Sequence, residues 1–184
     1  MTVRLFFQKH ALNAVTAALF ALAFWRLGLS PELPAVLVFI FGGVLLSVID
    51  WKVQRLPTQL VYYTLVGVGG GLVLASLLAW DWVPLATAVA GGALFAGTFF
   101  LIWYSGRIHG VAILGFGDVR LAGVLGMLLG WYGLEFVLYG AIAGNLLVVL
   151  LAVALSIHKR KLLMRYSFGP PLIAGTLAVV LFHA

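Results

Sequence analysis

The chain has 184 residues, of which 64% are hydrophobic and 9% charged, with a mean hydropathy of +1.18 and a formal net charge of +6. A soluble domain carries about 25% charged residues, so this composition excludes a soluble globular protein and reads as one membrane domain over residues 1–184. The positive balance is a matter of loop topology in a lipid bilayer, not of nucleic-acid binding. The absence of cysteine removes disulfides, thiol nucleophiles and Cys-ligated zinc.

In chain order, Arg4 and Lys9 precede an apolar run from Ala11, and Ala21-Leu22-Ala23 has the small-x-small spacing of a signal-peptide cleavage site. Hydrophobicity continues through Phe24 and Trp25, so this segment reads as a retained first helix. A spanning helix needs about 20 mostly apolar residues. Seven segments qualify, at 11–29, 34–50, 59–79, 83–104, 112–131, 134–157 and 167–182. The six prolines, Pro31, Pro34, Pro57, Pro84, Pro170 and Pro171, all fall at or near segment ends, where proline is best tolerated. The fifth segment is the weakest, because Gly115, Gly117 and Asp118 interrupt it, and regular helix is predicted there only from near Val119. The chain has 22 glycines. Gly126-x-x-x-Gly130 and Gly140-x-x-x-Gly144 have the spacing of close helix approach, and Gly67, Gly69, Gly70 and Gly71 cluster in the third segment. The expected fold is all-α, a polytopic transmembrane helical bundle.

Lys and Arg in short loops set the orientation. With the N-terminus in the cytoplasm, Arg4, Lys9, Lys52, Arg55, Arg107, Arg120, Lys159, Arg160, Lys161 and Arg165 all fall on the cytoplasmic side. Only Arg26, the remaining one of eleven, falls outside.

Five acidic residues occur. This topology sends Glu32, Asp81 and Glu135 to the outer face, and Asp50 and Asp118 to the cytoplasmic face. Ionisable groups beside hydrocarbon are costly and are functional candidates by default. Taken singly, Asp50 reads equally well as a helix-end carboxylate paired with Lys52 or Arg55, and Asp118 as a carboxylate at a helix N-terminus. Gly115 and Gly117 remove bulk beside Asp118, so another backbone can approach it. Two carboxylates in a poorly solvated site share one proton. The ionised member then activates water while the protonated member serves the scissile carbonyl and the leaving amine. That chemistry needs neither metal nor cofactor.

These residues carry a family resemblance. The stretch Ser47-Val48-Ile49-Asp50-Trp51-Lys52-Val53-Gln54-Arg55-Leu56-Pro57 resembles the first aspartate motif of type IV prepilin peptidases. Gly115-Phe116-Gly117-Asp118-Val119-Arg120-Leu121 resembles their second, Gly-x-Gly-Asp followed by a basic residue. Leu129-Gly130-Trp131 and Ser167-Phe168-Gly169-Pro170 resemble downstream patterns, so the likeness runs from about residue 36 to 182. It implies an aspartyl endopeptidase of the bacterial plasma membrane that removes the basic leader from prepilins or pseudopilins at the cytoplasmic face. Asp50 and Asp118 would be the catalytic pair, with Gly115 and Gly117 shaping the site. The chain departs from the pattern at Thr58, where many members have Asn, and at Arg120, where Lys is common. Larger bifunctional members carry a cysteine-rich segment and also N-methylate the new terminus. For this chain the peptidase reaction alone is expected.

The remaining candidates are weaker. His109 precedes the Gly-x-Gly-Asp motif but reads as an ordinary loop histidine, and His10, His158 and His183 form no ligand cluster. Lys159-Arg160-Lys161 reads as a topological anchor beside anionic lipid, and Trp80, Trp82, Trp103 and Trp131 read as interfacial anchors. Because the cytoplasmic face and the leader are both basic, recognition is expected through the substrate's hydrophobic helix entering between spans. The alternatives are an aspartyl protease with another substrate, a transporter using both carboxylates as a proton relay, and a non-catalytic scaffold. A relay places its carboxylates near the bilayer midplane, which this topology does not.

Overall fold

The computed structural model describes residues 2–53, 56–110, 114–159 and 168–183. Gln54, Arg55, Arg160, Lys161, Arg165 and Ser167, singled out above, lie outside the described residues. Seven helices run through the described chain: α1 (Thr2–Leu27), α2 (Leu33–Val53), α3 (Thr58–Ala79), α4 (Val83–Ile108), α5 (Phe116–Tyr132), α6 (Leu134–Lys159) and α7 (Gly169–His183). They match the seven predicted segments in order, and the all-α expectation holds. Four of them, α2, α3, α4 and Leu134–Ala154 within α6, are long and apolar enough to cross a membrane. Leu12–Leu27 and α7 are shorter apolar helices.

The helix boundaries follow local chemistry. Pro57 is the N-cap of α3, Pro84 stands in the first turn of α4, and Pro170 and Pro171 open α7, positions where a missing N–H costs nothing. A single residue, Gly133, separates α5 from α6, and its φ of 140° is one that side chains rarely adopt. The prediction for the fifth segment was too short at its start. Helix α5 begins at Phe116 with Gly115 as its N-cap, so Asp118 sits within the first turn rather than before the helix.

That weakest-looking segment is the centre of the bundle. Leu121, Ala122, Val124, Leu125, Leu128 and Leu129 of α5 are all fully buried, and α5 packs against α3, α4, α6 and α7. A helix apolar on every face belongs in the middle. Its closest seam is with α4. A Cβ on Gly91 would stand 2.6 Å from the Gly126 carbonyl oxygen and 2.9 Å from the Gly130 Cα. Hydrogen at these positions is what lets the two backbones touch, as the Gly-x-x-x-Gly spacing predicts. Gly144 meets Gly175 of α7 in the same way.

Contacts between distant residues define two ends. At one, Gly169 bonds Asp50, Arg120 bonds Thr58, and Trp103 packs on Phe116 with ring centroids 5.0 Å apart. At the other, His183 lies 4.0 Å from Phe136 and 5.9 Å from Tyr132 between ring centroids. There too, Arg26 donates to the carbonyl oxygens of Leu181 (2.7 Å) and Phe182 (3.1 Å). Arg26 was the one basic residue out of step with the others. It sits where a cation satisfies the last carbonyls of α7 and complements that helix's dipole. The absence of cysteine makes the two ends testable by labelling. With a membrane-impermeant maleimide, Lys52→Cys and Arg107→Cys are expected to react from the same side and Asp81→Cys from the other; labelling of all three from one side would contradict the arrangement.

Candidate active site

The acidic side chains sort by their positions on the helices. The Glu32 carbonyl accepts the Val36 N–H at the start of α2, and Asp81 Oδ1 accepts the Val83 N–H (3.0 Å) at the start of α4. Glu135 stands in the first turn of α6 and Asp118 in the first turn of α5. All four occupy helix N-termini, where the macrodipole favours negative charge. Asp50 does not. It lies in the last turn of α2, where that dipole opposes it, and is only 5% exposed. A buried carboxylate so placed costs folding free energy unless other groups compensate it.

Compensation comes from α7. The N–H of Gly169, the first residue of α7, donates to Asp50 Oδ2 at 3.1 Å in a buried hydrogen bond. The next two residues, Pro170 and Pro171, have no N–H, and the Leu172 N–H turns to the Phe168 carbonyl. The first turn of α7 therefore directs its leading donor at Asp50, and the positive end of the α7 dipole offsets the unfavourable end of α2. Glycine is required by the close approach: a Cβ on Gly169 would stand 2.8 Å from Asp50 Oδ2.

Asp118 is held by its own helix. Its Oδ2 accepts the Gly115 N–H at 3.2 Å while its N–H donates to the Gly115 carbonyl at 3.1 Å, the carboxylate half of a capping box. Asp118 is half-buried, and the Asp50 and Asp118 carboxylates lie within electrostatic reach of each other. The neighbour at Gly117 is a side chain rather than another backbone: a Cβ there would stand 3.0 Å from the Leu56 Cβ. At Gly115 the nearest group is the Asp118 carboxylate itself.

The rim contains a pairing that sequence reasoning missed. Arg120 Nη1 donates to Thr58 Oγ1 at 2.6 Å, joining the first turn of α5 to the start of α3. The Arg120 guanidinium also lies 4.7 Å from the Phe116 ring centroid and 5.6 Å from that of Tyr62. Thr58 and Arg120, read above as separate departures from a pattern, are partners. Nothing in one sequence marks residues 62 positions apart as touching. His109 caps α4 and is exposed. Among the described residues no three His, Asp or Glu side chains converge as a metal site. A shallow cleft of about 280 Å³ beside Asp50, lined by Ser47, Val48, Trp51, Lys52 and Pro170, opens to the outside.

The type IV leader peptidase family matches residues 37–158, a window holding both aspartates. The chain belongs to the type IV leader peptidase family. Among its relatives, the prepilin leader peptidase/N-methyltransferase of Pseudomonas putida is 31% identical over 176 residues, covering 94% of this chain and 58% of the relative. The protein of the same name from Bacillus subtilis is 30% identical over 184 residues, covering 97% and 68%. That of Klebsiella pneumoniae is 33% identical over 124 residues, covering 67% and 52%. The chain thus spans between about half and two thirds of the length of these relatives. No solved structure gives a significant match. Family membership and four long apolar helices make this a multi-pass membrane protein. Helix α7, which supplies the Gly169 N–H, lies beyond the family match.

If the Arg120–Thr58 bond joins α5 to α3, Arg120→Ala and Thr58→Ala should be non-additive in thermal unfolding in detergent. A coupling of about 0.5–1.5 kcal/mol is expected for such a bond. Strict additivity would show that the contact contributes nothing.

Proposed function

We propose that residues 1–184 act as one membrane-embedded aspartyl endopeptidase domain that removes the basic leader from type IV prepilins or pseudopilins. The observation that supports this reading is that Asp50 and Asp118 lie within electrostatic reach of each other, with Asp50 buried at the unfavourable end of its own helix. Family membership and the relatives' names support the substrate class.

In the proposed reaction the two carboxylates share one proton, since like charges in a poorly solvated site do not both ionise readily. The ionised member takes a proton from a water molecule, whose oxygen attacks the scissile carbonyl carbon. The protonated member hydrogen-bonds the carbonyl oxygen and stabilises the charge that develops on it. As the tetrahedral intermediate collapses, a carboxyl proton passes to the leaving amine and the shared-proton state returns. The Gly169 and Gly115 N–H groups hold one oxygen of each carboxylate. Gly115 and Gly117 shape the Asp118 side.

The basic residues at the Asp50 end support a cytoplasmic active site and a cytoplasmic N-terminus in the bacterial plasma membrane. The placement of both carboxylates at an end of the bundle favours proteolysis over a midplane proton relay. The proposal covers the peptidase reaction; the methyltransferase in the relatives' names is not part of it.

Asp50→Asn and Asp118→Asn are each expected to lower prepilin cleavage by at least about 10²-fold at matched membrane abundance, the range of a lost acid–base group. Measured by the gel shift of the released leader, cleavage retained by both variants would sink the two-aspartate mechanism. Gly169→Ala displaces the Asp50 carboxylate without altering either aspartate. It should lower kcat about tenfold or more, as small misplacements of a reacting group do. An unchanged kcat would remove Gly169 from the mechanism.

A further inference from the structure

An apolar groove of about 480 Å³ runs between α4 and α6. It exists because α4 packs chiefly on α5, and α6 chiefly on α7. Its floor is the edge-to-face pair Phe95 and Phe99, with ring centroids 5.1 Å apart, together with Val137. Its walls include the exposed Leu94 and Ile102 of α4 and Leu134 and Leu138 of α6.

Two features separate this groove from an ordinary lipid-facing crevice. First, its lining includes Leu114 and Phe168. These residues immediately precede Gly115 and Gly169, whose N–H groups hold Asp118 and Asp50. The groove therefore extends from Leu134, near the far end of the bundle, to the threshold of both carboxylates. Second, its walls carry polar side chains. Asn145 is exposed within α6, and its amide N–H donates to the Ala141 carbonyl at 2.8 Å, leaving Oδ1 as an acceptor. Asn145 lies eleven residues, or about 17 Å of helix rise, from Leu134. Thr98 of α4 is also exposed in the same lining, its hydroxyl donating to the Leu94 carbonyl at 2.9 Å. An amide oxygen such as Asn145 Oδ1 is costly facing lipid at such depth, because lipid tails offer it no hydrogen bond.

We propose that the α4–α6 groove is the docking site for the hydrophobic helix of the leader-bearing substrate, with Asn145 facing a hydrogen-bonding side chain on that helix. The inference rests on the peptidase reading and adds the surface that holds the substrate. An apolar helix seated there buries its apolar face chiefly on the exposed Leu94, Ile102, Leu134 and Leu138, above the already buried Phe95, Phe99 and Val137. Its end at Leu114 and Phe168 delivers the adjoining peptide bond to Asp50 and Asp118. Specificity then resides in the length and apolar character of the helix, which accounts for recognition of a basic leader by a basic face.

The test is site-specific photocrosslinking in membranes holding the full chain and a full-length prepilin. Leu138→p-benzoylphenylalanine and Thr98→p-benzoylphenylalanine are compared with Val66→p-benzoylphenylalanine, an exposed position on α3. All are made in the Asp118→Asn background so that substrate accumulates. The groove positions should give at least tenfold more prepilin adduct than position 66. Equal yields, no adduct, or adducts only to lipid or to a second copy of the chain overturn the proposal. Cleavage by the unsubstituted protein in the same membranes reports separately on the peptidase reading, so the two fail distinguishably. As a second measurement, Asn145→Leu should raise KM at least fivefold with kcat within twofold. An unchanged KM removes Asn145 from recognition.

Discussion

The need to compensate one buried carboxylate governs this end of the molecule. Asp50 is nearly inaccessible and stands at the negative end of its own helix dipole, so its place depends on donors brought from elsewhere. The Gly169 N–H is such a donor, and it arrives only if α7 returns to pack against α2. The double proline after Gly169 sharpens the arrangement, because it removes competing donors from the first turn. Helix α7 is thus part of the candidate site.

The central position of α5 follows from the same need for precision. Asp118 rides on a helix packed by four others, and the Gly91–Gly126 seam lets α4 approach it at backbone contact. Buried, closely packed elements hold their side chains in fewer arrangements than loops do. One carboxylate is therefore anchored through the α2–α7 contact and the other through α5, and the Arg120–Thr58 bond ties α5 to the start of α3. In the proposed mechanism this shared framework keeps two like charges within reach of each other, an arrangement that electrostatics alone disfavours.

The same packing leaves the groove. A bundle made of the pairs α4–α5 and α6–α7 closes only partly between α4 and α6, and leaves Leu94, Ile102, Leu134 and Leu138 exposed along that groove. Fold and the proposed substrate route then follow from one packing scheme.

Much of this protein was legible in its residues. Hydropathy and six prolines located seven helices, because a lipid environment demands long apolar segments and penalises broken hydrogen bonding within them. The scarcity of acid directed attention to Asp50 and Asp118, and their motifs carried the family. Composition misjudged α5: glycines and an aspartate lower apparent helix propensity, whereas Gly115 caps the helix and Asp118 completes the cap. Three matters were decided only by tertiary structure: the donor to Asp50, the Arg120–Thr58 partnership, and the open seam between α4 and α6. The physical reason is common to all three. Hydropathy and caps act over a few residues and are written locally, whereas a hydrogen bond between residues 119 positions apart depends on how whole helices pack.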